Sequence, residues 1–452
     1  MPSRARSTLV VSRRSWLMSA ALRYATATFC IAVAVACWIL LYDNHTNAGT
    51  AVLGGYRDRW FVVCLVVSWV SIWMIVGALG RPTRTTWFGI ITIHLAAAVP
   101  LVTMEIAALS GLVDFREVLL RGRSYNEAAA PLDPRLRRAM MPDQTMSGYV
   151  VGDLTPILGA PALQHPFVFA TDAWGLRNSR RKDDPRIVCL GDSILVAGLV
   201  PVEEILTERL ERALGVEVLN VSQSGDSPQE ELIRFETTGL DPRGRIVVQF
   251  IFEGNDLEDS RVWRLWRERN GGSRYPESGL LKTLLRILHA PRRSAGMRRR
   301  GTFALSNGGN ETVYFLYDAR RTNTNLGEFE YLARGLAEGH RKLRELGADT
   351  ALVFVPTKLA VLGDLVTWPA GSDLDDRALR NSEFRRTLGE FAGREGIPFF
   401  DLTEPLRVAA TSGVLPYFAD DTHLNPGGHA AAAQALVLWL RGTIASQHLA
   451  EP

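Results

Sequence analysis

Three long uncharged apolar stretches near the N-terminus constrain this chain more than any other feature. They run from Tyr24 to Tyr42, from Trp60 to Gly80, and from Trp87 to Met104, the last resuming after Glu105 and continuing to Val113. About 20 apolar residues at 1.5 Å rise span a hydrocarbon core, so each stretch is long enough to cross a bilayer. Backbone in lipid must satisfy its own polar groups, which predicts three transmembrane helices at about 24–42, 60–80 and 87–110. Trp60 and Trp87 suit the interface. Arg4, Arg6, Arg13, Arg14 and Arg23 precede the first stretch, and Arg81 and Arg84 separate the second from the third. The loop between the first and second holds only Arg57 and Arg59, with Asp58. By the positive-inside rule the N-terminus is cytoplasmic and everything after about residue 115 lies outside. The first stretch also resembles a signal peptide, but no small-residue cleavage site follows, so an anchor is expected. At membrane depth, His94 reads as a packed polar residue and Glu105 as one that snorkels or pairs.

A chain of 452 residues is too long for one compact domain. The net charge of +3 exerts little pull on a polyanion, so no nucleic-acid partner is expected. Cys30, Cys37, Cys64 and Cys189 all lie in apolar runs without metal-ligand spacing, and neither a metal nor a cofactor is expected. Residues 1–113 form the predicted anchor. Residues 114–165 mix charge with Pro131, Pro134, Pro142, Pro156 and Pro161 and read as a linker.

From 166 to 445 strand and helix signals alternate. Short apolar runs occur at Arg186–Leu190, Val216–Val221, Ile246–Phe252, Ala351–Val355 and Pro398–Leu402. Between them, Pro201–Leu214 and Phe329–Leu346 carry apolar residues at helical spacing and stop at Gly215 and Gly347. Strands apolar on both faces imply a parallel sheet covered by helices, hence a doubly wound α/β domain. Ligands of such domains bind beyond the carboxyl ends of the strands. One segment, 257–325, interrupts the alternation. Its first part, 257–300, holds twelve Lys or Arg against Glu258, Asp259, Glu268 and Glu277. Gly279–Ala290 within it has the pattern of an amphipathic helix, suited to a membrane surface or an anionic polymer, or to an insertion capping a site.

The residues that carry chemistry follow the strands. Gly191-Asp192-Ser193 comes directly after the first apolar run, which puts Ser193 at the carboxyl edge of the sheet. A serine hydroxyl needs a base. Near the C-terminus, Asp420-Asp421-Thr422-His423 offers one: an imidazole whose Nδ1–H can face a carboxylate while Nε2 takes the serine proton. Gly225 and Asn255 follow the second and third strands. Their backbone N–H and side-chain amide, with the Ser193 N–H, can supply donors to an oxyanion. His165, His289, His340 and His429 read as surface or packing residues.

These four blocks, in this order, resemble the SGNH/GDSL hydrolase family. The nucleophile motif is similar to Gly191-Asp192-Ser193, the second-block glycine to Gly225, the third block to Glu253-Gly254-Asn255-Asp256, and the final Asp-x-x-His to Asp420–His423. The resemblance covers roughly 185–445. It implies a flavodoxin-like fold and metal-free hydrolysis of acyl esters. It makes Ser193 the nucleophile, His423 the base, Asp420 its orienter, and Ser193, Gly225 and Asn255 the oxyanion hole. Asp192 lies outside the implied triad. Asp421 is a rival for the orienting role, and only the spacing favours Asp420. Two departures stand out: Ile194-Leu195 in place of an aromatic continuation, and Glu253 where the family has glycine. Thr171–Asn178 resembles a lead-in found in bacterial membrane-linked members. The implied protein is an esterase at the outer face of a bacterial inner membrane, acting on acyl groups, O-acetyl groups of glycans among them. The alternatives are an O-acyltransferase of envelope polysaccharide and a non-catalytic glycan-binding module.

Overall fold

The computed structural model describes residues 21–40, 58–80, 83–110, 112–113, 128–129, 133–158, 160–161, 163–268, 279–281, 284 and 298–443. It divides into two compact units, residues 1–121 with 275–289, and residues 122–274 with 290–452.

The first unit contains three helices long and apolar enough to cross a membrane: α1 (Ala21–Leu40), α2 (Asp58–Gly80) and α3 (Arg84–Leu109). Thr83 caps α3 by accepting from the Thr86 N–H, and Pro100 lies inside that helix. Phe29, Trp38, Ile72, Phe88 and Val99 are exposed. Water would penalise so much bare apolar surface, which suits helices able to cross a membrane. The predicted spans agree with these helices to within a few residues. His94 packs edge-on against Trp69 and Trp73, with ring centroids 5.2 and 5.0 Å away. Glu105 does pair: it accepts from the Leu281 N–H at 3.1 Å. Of the amphipathic segment Gly279–Ala290, only 279–281 and 284 are described; the rest lies outside the described residues.

In the second unit a short antiparallel pairing of Ala128–Ala129 with Ala139–Met140 precedes an antiparallel hairpin, β1 (Thr145–Val151) and β2 (Gln164–Ala170). This corrects the linker reading of 114–165. Prolines and charge suggested irregular chain, yet from residue 133 the segment is built into the fold.

The central sheet follows: β3 (Ile187–Gly191), β4 (Val218–Ser222), β5 (Ile246–Phe252), β8 (Asp349–Val355) and β10 (Phe399–Asp401). Its spatial order is β10-β8-β5-β3-β4, and every pairing is parallel. That is the flavodoxin-like order, whose switch point lies between β3 and β5. Every residue of β3, β4 and β5 is buried, because side chains on both faces meet helices. One face packs Cys189, Val248 and Val353 against α5 (Leu206–Leu214) and α11 (Pro426–Thr443). The other packs Val188, Leu219, Ile251 and Phe354 under helices that include α6 (Pro228–Thr237), α8 (Phe329–Glu345) and α9 (Glu383–Arg394).

The interrupting segment 257–325 is not a simple cap. It begins inside α7 (Asp256–Glu268) and supplies β6 (Arg300–Ala304) and β7 (Asn310–Tyr314). These two strands form a three-stranded antiparallel sheet with β9 (Val366–Thr367).

Candidate active site

β3 ends at Gly191 and α4 (Ser193–Val196) begins at once. A Cβ on Gly191 would meet Leu195 Cδ1 at 2.8 Å, so glycine is required for the strand to turn this sharply. Asp192 is the helix N-cap and accepts from the Ile194 N–H at 2.9 Å. Ser193 therefore stands in the first turn, where a backbone N–H has no partner within the helix. Ile194 and Leu195, at the positions where the family continuation differs, are buried core residues.

The loop carrying His423 is braced on several sides. Tyr417 and Leu424 form a β-bridge, and the Phe418 N–H donates to the His423 carbonyl at 3.1 Å. The Tyr314 N–H, at the end of β7, donates to Ala419 O at 2.9 Å. Lys358 is buried behind the loop and donates to Phe418 O at 2.6 Å and Tyr314 O at 3.0 Å. Burial lowers the Lys358 pKa to about 8, against the pull of Asp153, Asp421 and Asp420.

The fold brings Ser193 and His423 together: Nε2 lies 2.9 Å from Oγ. Nδ1 lies 2.6 Å from Asp421 Oδ1, and the same oxygen accepts from the His423 backbone N–H at 2.9 Å. With Nδ1–H donating to the carboxylate, Nε2 is left as an acceptor for the serine proton. Asp192 Oδ2, 3.3 Å from Ser193 Oγ, is a more distant acceptor. Burial alone would lower the His423 pKa. The Asp421 carboxylate, with Asp153 and Asp192, outweighs it and raises the value to about 9. Burial would push Asp421 up, but His423 beside it holds the carboxyl well below the usual range.

The expected orienter, Asp420, is not the carboxylate at His423. Its side chain turns away, accepting from His165 Nε2 at 2.8 Å and from the Gly152 N–H at 3.3 Å. Successive side chains on this turn point in opposite directions, so the residue two before the histidine reaches Nδ1 and the residue three before does not.

Gly225 adopts φ +71°, and its carbonyl accepts from Arg137 Nη2 at 2.7 Å. Asn255 sits beside Asp192, with Nδ2 at 3.4 Å from Asp192 Oδ2 and 2.6 Å from Asp259 Oδ2. Its amide hydrogens thus face two carboxylates. Burial raises the Asp259 carboxyl to about 7 and pushes Asp192 up as well. Glu253, the departure in the third block, is buried and ties two loops to the end of β5. It accepts from the Thr357 N–H at 2.8 Å and from Ser382 Oγ at 2.5 Å.

Two residues at the site carried no signal in the sequence. Asp153 follows β1 and accepts from both the Thr422 N–H, at 2.9 Å, and the Thr422 hydroxyl. His165 lies on β2 and pairs with Asp420 rather than serving as a surface residue. His429 is a packing residue, as expected: it is buried and its Nδ1 accepts from the Leu206 N–H at 3.1 Å. Asp153, Asp421 and His423 also place ligand-type atoms within 4.8 Å of one another. A cation there would have to displace the short Asp421–His423 hydrogen bond.

Residues 189–431, more than half of the chain, match the model of the GDSL-like lipase/acylhydrolase family. No curated protein matches significantly. Among solved structures, the chain is similar to a G-D-S-L-family protein from Desulfitobacterium hafniense DCB-2, at 13% identity over 56% of this chain and 99% of that one, with a TM-score of 0.32. It is also similar to the lipase/acylhydrolase from Enterococcus faecalis, at 14% identity over 57% of this chain and 96% of that one, with a TM-score of 0.31.

Proposed function

The chain belongs to the GDSL-like lipase/acylhydrolase family, and on that premise we propose that Ser193, His423 and Asp421 hydrolyse acyl esters through an acyl-enzyme. The observation that carries this reading is the 2.9 Å contact between Ser193 Oγ and His423 Nε2, within the reach a base needs. Ser193 Oγ attacks the ester carbonyl carbon as His423 Nε2 takes its proton. The charge that develops on the carbonyl oxygen is met by the N–H groups of Ser193 and Gly225, and by the Asn255 amide once it gives up its long 3.4 Å contact to Asp192. Collapse breaks the bond to the alcohol, which leaves with the proton from His423. Water then attacks the acyl carbon with His423 again as base, releasing the acid and restoring Ser193.

Within this reading the substrate is a short acyl ester, with O-acetyl groups on envelope glycans as the favoured case. The anchor is 1–113, and the catalytic domain, which includes the hairpin from residue 133 onward, faces the outer side of a bacterial inner membrane. The support is the distribution of arginines around the three apolar helices. The contact between Ser193 and His423 argues against a binding module without catalysis. Transfer to a sugar hydroxyl uses the same acyl-enzyme and differs only in the acceptor.

Full-length protein in detergent should cleave p-nitrophenyl acetate faster than the octanoate. Ser193→Ala should lower kcat by about 10⁴ or more. Retained activity in that variant would end the proposal. Acetyl transfer to an added oligosaccharide in excess of free acetate would shift the reading to acyltransferase.

A further inference from the structure

We propose that Asp153 is a positioning residue of the His423–Asp421 pair, supplied by a hairpin that lies outside the stretch matching the family model. The inference rests on the reading of Ser193 and His423 given above.

The geometry is a clamp between residues 152–154 and 420–422. The Asp153 N–H donates to Asp421 Oδ2 at 2.8 Å, on the oxygen opposite the one that holds His423. The Asp153 carboxylate accepts from the backbone and hydroxyl of Thr422, and Oδ2 lies 4.0 Å from His423 Nδ1. On either side, the Gly152 N–H donates to Asp420 Oδ2 and the Leu154 N–H to Asp420 O, at 3.3 and 3.1 Å. His165 completes the clamp from β2. One residue therefore fixes Asp421 through its backbone and the turn through its side chain, and places a second negative charge near the imidazole.

A turn cap alone would explain the Thr422 contacts. It would not explain a second carboxylate near Nδ1, where positive charge appears when His423 takes the serine proton. Asp421 holds that charge directly, and Asp153 adds to it from 4.0 Å. The other titratable groups around His423 are Asp192 after β3 and, on the helix behind, His429, which burial keeps neutral by lowering its pKa to about 3; Lys358 faces the three aspartates from below. Among these, Asp153 is the one that touches both the orienting carboxylate and the turn.

The test is Asp153→Asn in the full-length protein in detergent, alongside Ser193→Ala. Asparagine keeps the shape and an acceptor for the Thr422 N–H but removes the charge. The expected result is a melting temperature near that of the parent, an unchanged KM and, at a pH above the acid limb where His423 is neutral in both proteins, a kcat about tenfold lower, the effect of one unit of differential interaction. The acid limb of kcat/KM should move to lower pH, since His423 loses a negative neighbour. A cap without a catalytic role would leave that limb in place, and parent kcat with an unmoved limb would overturn the proposal. If Asp153→Asn does not fold, Asp153→Ser decides. Serine keeps a hydroxyl acceptor for the Thr422 N–H and removes the charge, so the limb should again move to lower pH, and an unmoved limb would overturn the proposal. Activity surviving Ser193→Ala would instead sink the function on which this inference stands.

Discussion

At the scale of single residues, the orienting carboxylate is where sequence spacing and folded geometry part. Asp420 and Asp421 are adjacent, carry the same side chain and are both buried. What separates them is direction: Asp421 meets His423 Nδ1 and Asp420 meets His165. Asp421→Asn should lower kcat by about 10⁴, because the amide favours the wrong imidazole tautomer. Asp420→Asn should cost far less in kcat and show mainly as a lower melting temperature, since it weakens the contact to His165. The reverse ranking would restore Asp420 as orienter. The same pair sets the pH behaviour. His423 must be neutral to accept a proton, and its pKa is raised from 6.5 to about 9. kcat/KM should therefore rise from neutral pH to an acid limb near 9, and a limb near 6.5 would contradict the pairing. Because the folded imidazole holds its proton to higher pH than the unfolded one, its contribution to stability is complete below about 6.5 and is lost as pH rises through 9. Ser193, His423, Gly225 and Asn255 were all legible as candidates, because each follows a strand or sits in a short motif. The choice between neighbouring aspartates was not, because it depends on how one turn directs its side chains.

At the scale of elements, β3, β4, β5 and β8 were readable because burial on both faces leaves a continuous apolar run, and the half-buried edge strand β10 was readable from its two phenylalanines. Ile246–Phe252 appears in the sequence with the bounds it has in the fold. The hairpin β1–β2 left no such mark. Its first strand, Thr145–Val151, is mostly exposed, and prolines flank it. Exposure removes the apolar run, and proline imitates a linker. Yet this hairpin holds the catalytic turn at closest range. A Cβ on Gly152 would lie 2.2 Å from Asp420 O, a backbone atom that cannot swing away. Gly152→Ala should therefore force the two segments apart, costing about 1–3 kcal/mol of stability by overpacking. It should also reduce kcat through the displaced aspartates. Thermal melting and p-nitrophenyl acetate turnover measure both, and a variant unchanged in each would show that the clamp is not tight.

At the scale of the whole molecule, two units of different chemistry share one chain. Three helices are long and apolar enough to cross a membrane, and a doubly wound domain carries the candidate site. If the arginine pattern sets topology, a membrane-impermeant fluorophosphonate should label Ser193 in intact spheroplasts. Labelling only after lysis would place the domain on the cytoplasmic side. The amino-acid sequence by itself determined what depends on neighbours along the chain: apolar length for the anchor, apolar runs for the strands, glycine for the turn before Ser193, and the presence of an imidazole and carboxylates near the C-terminus. Only the tertiary structure decided which aspartate serves the histidine, and that a hairpin read as a linker supplies Asp153 and His165. Those contacts join residues 268 and 255 positions apart. No local pattern encodes such a pairing, because it exists only once the chain has folded back on itself.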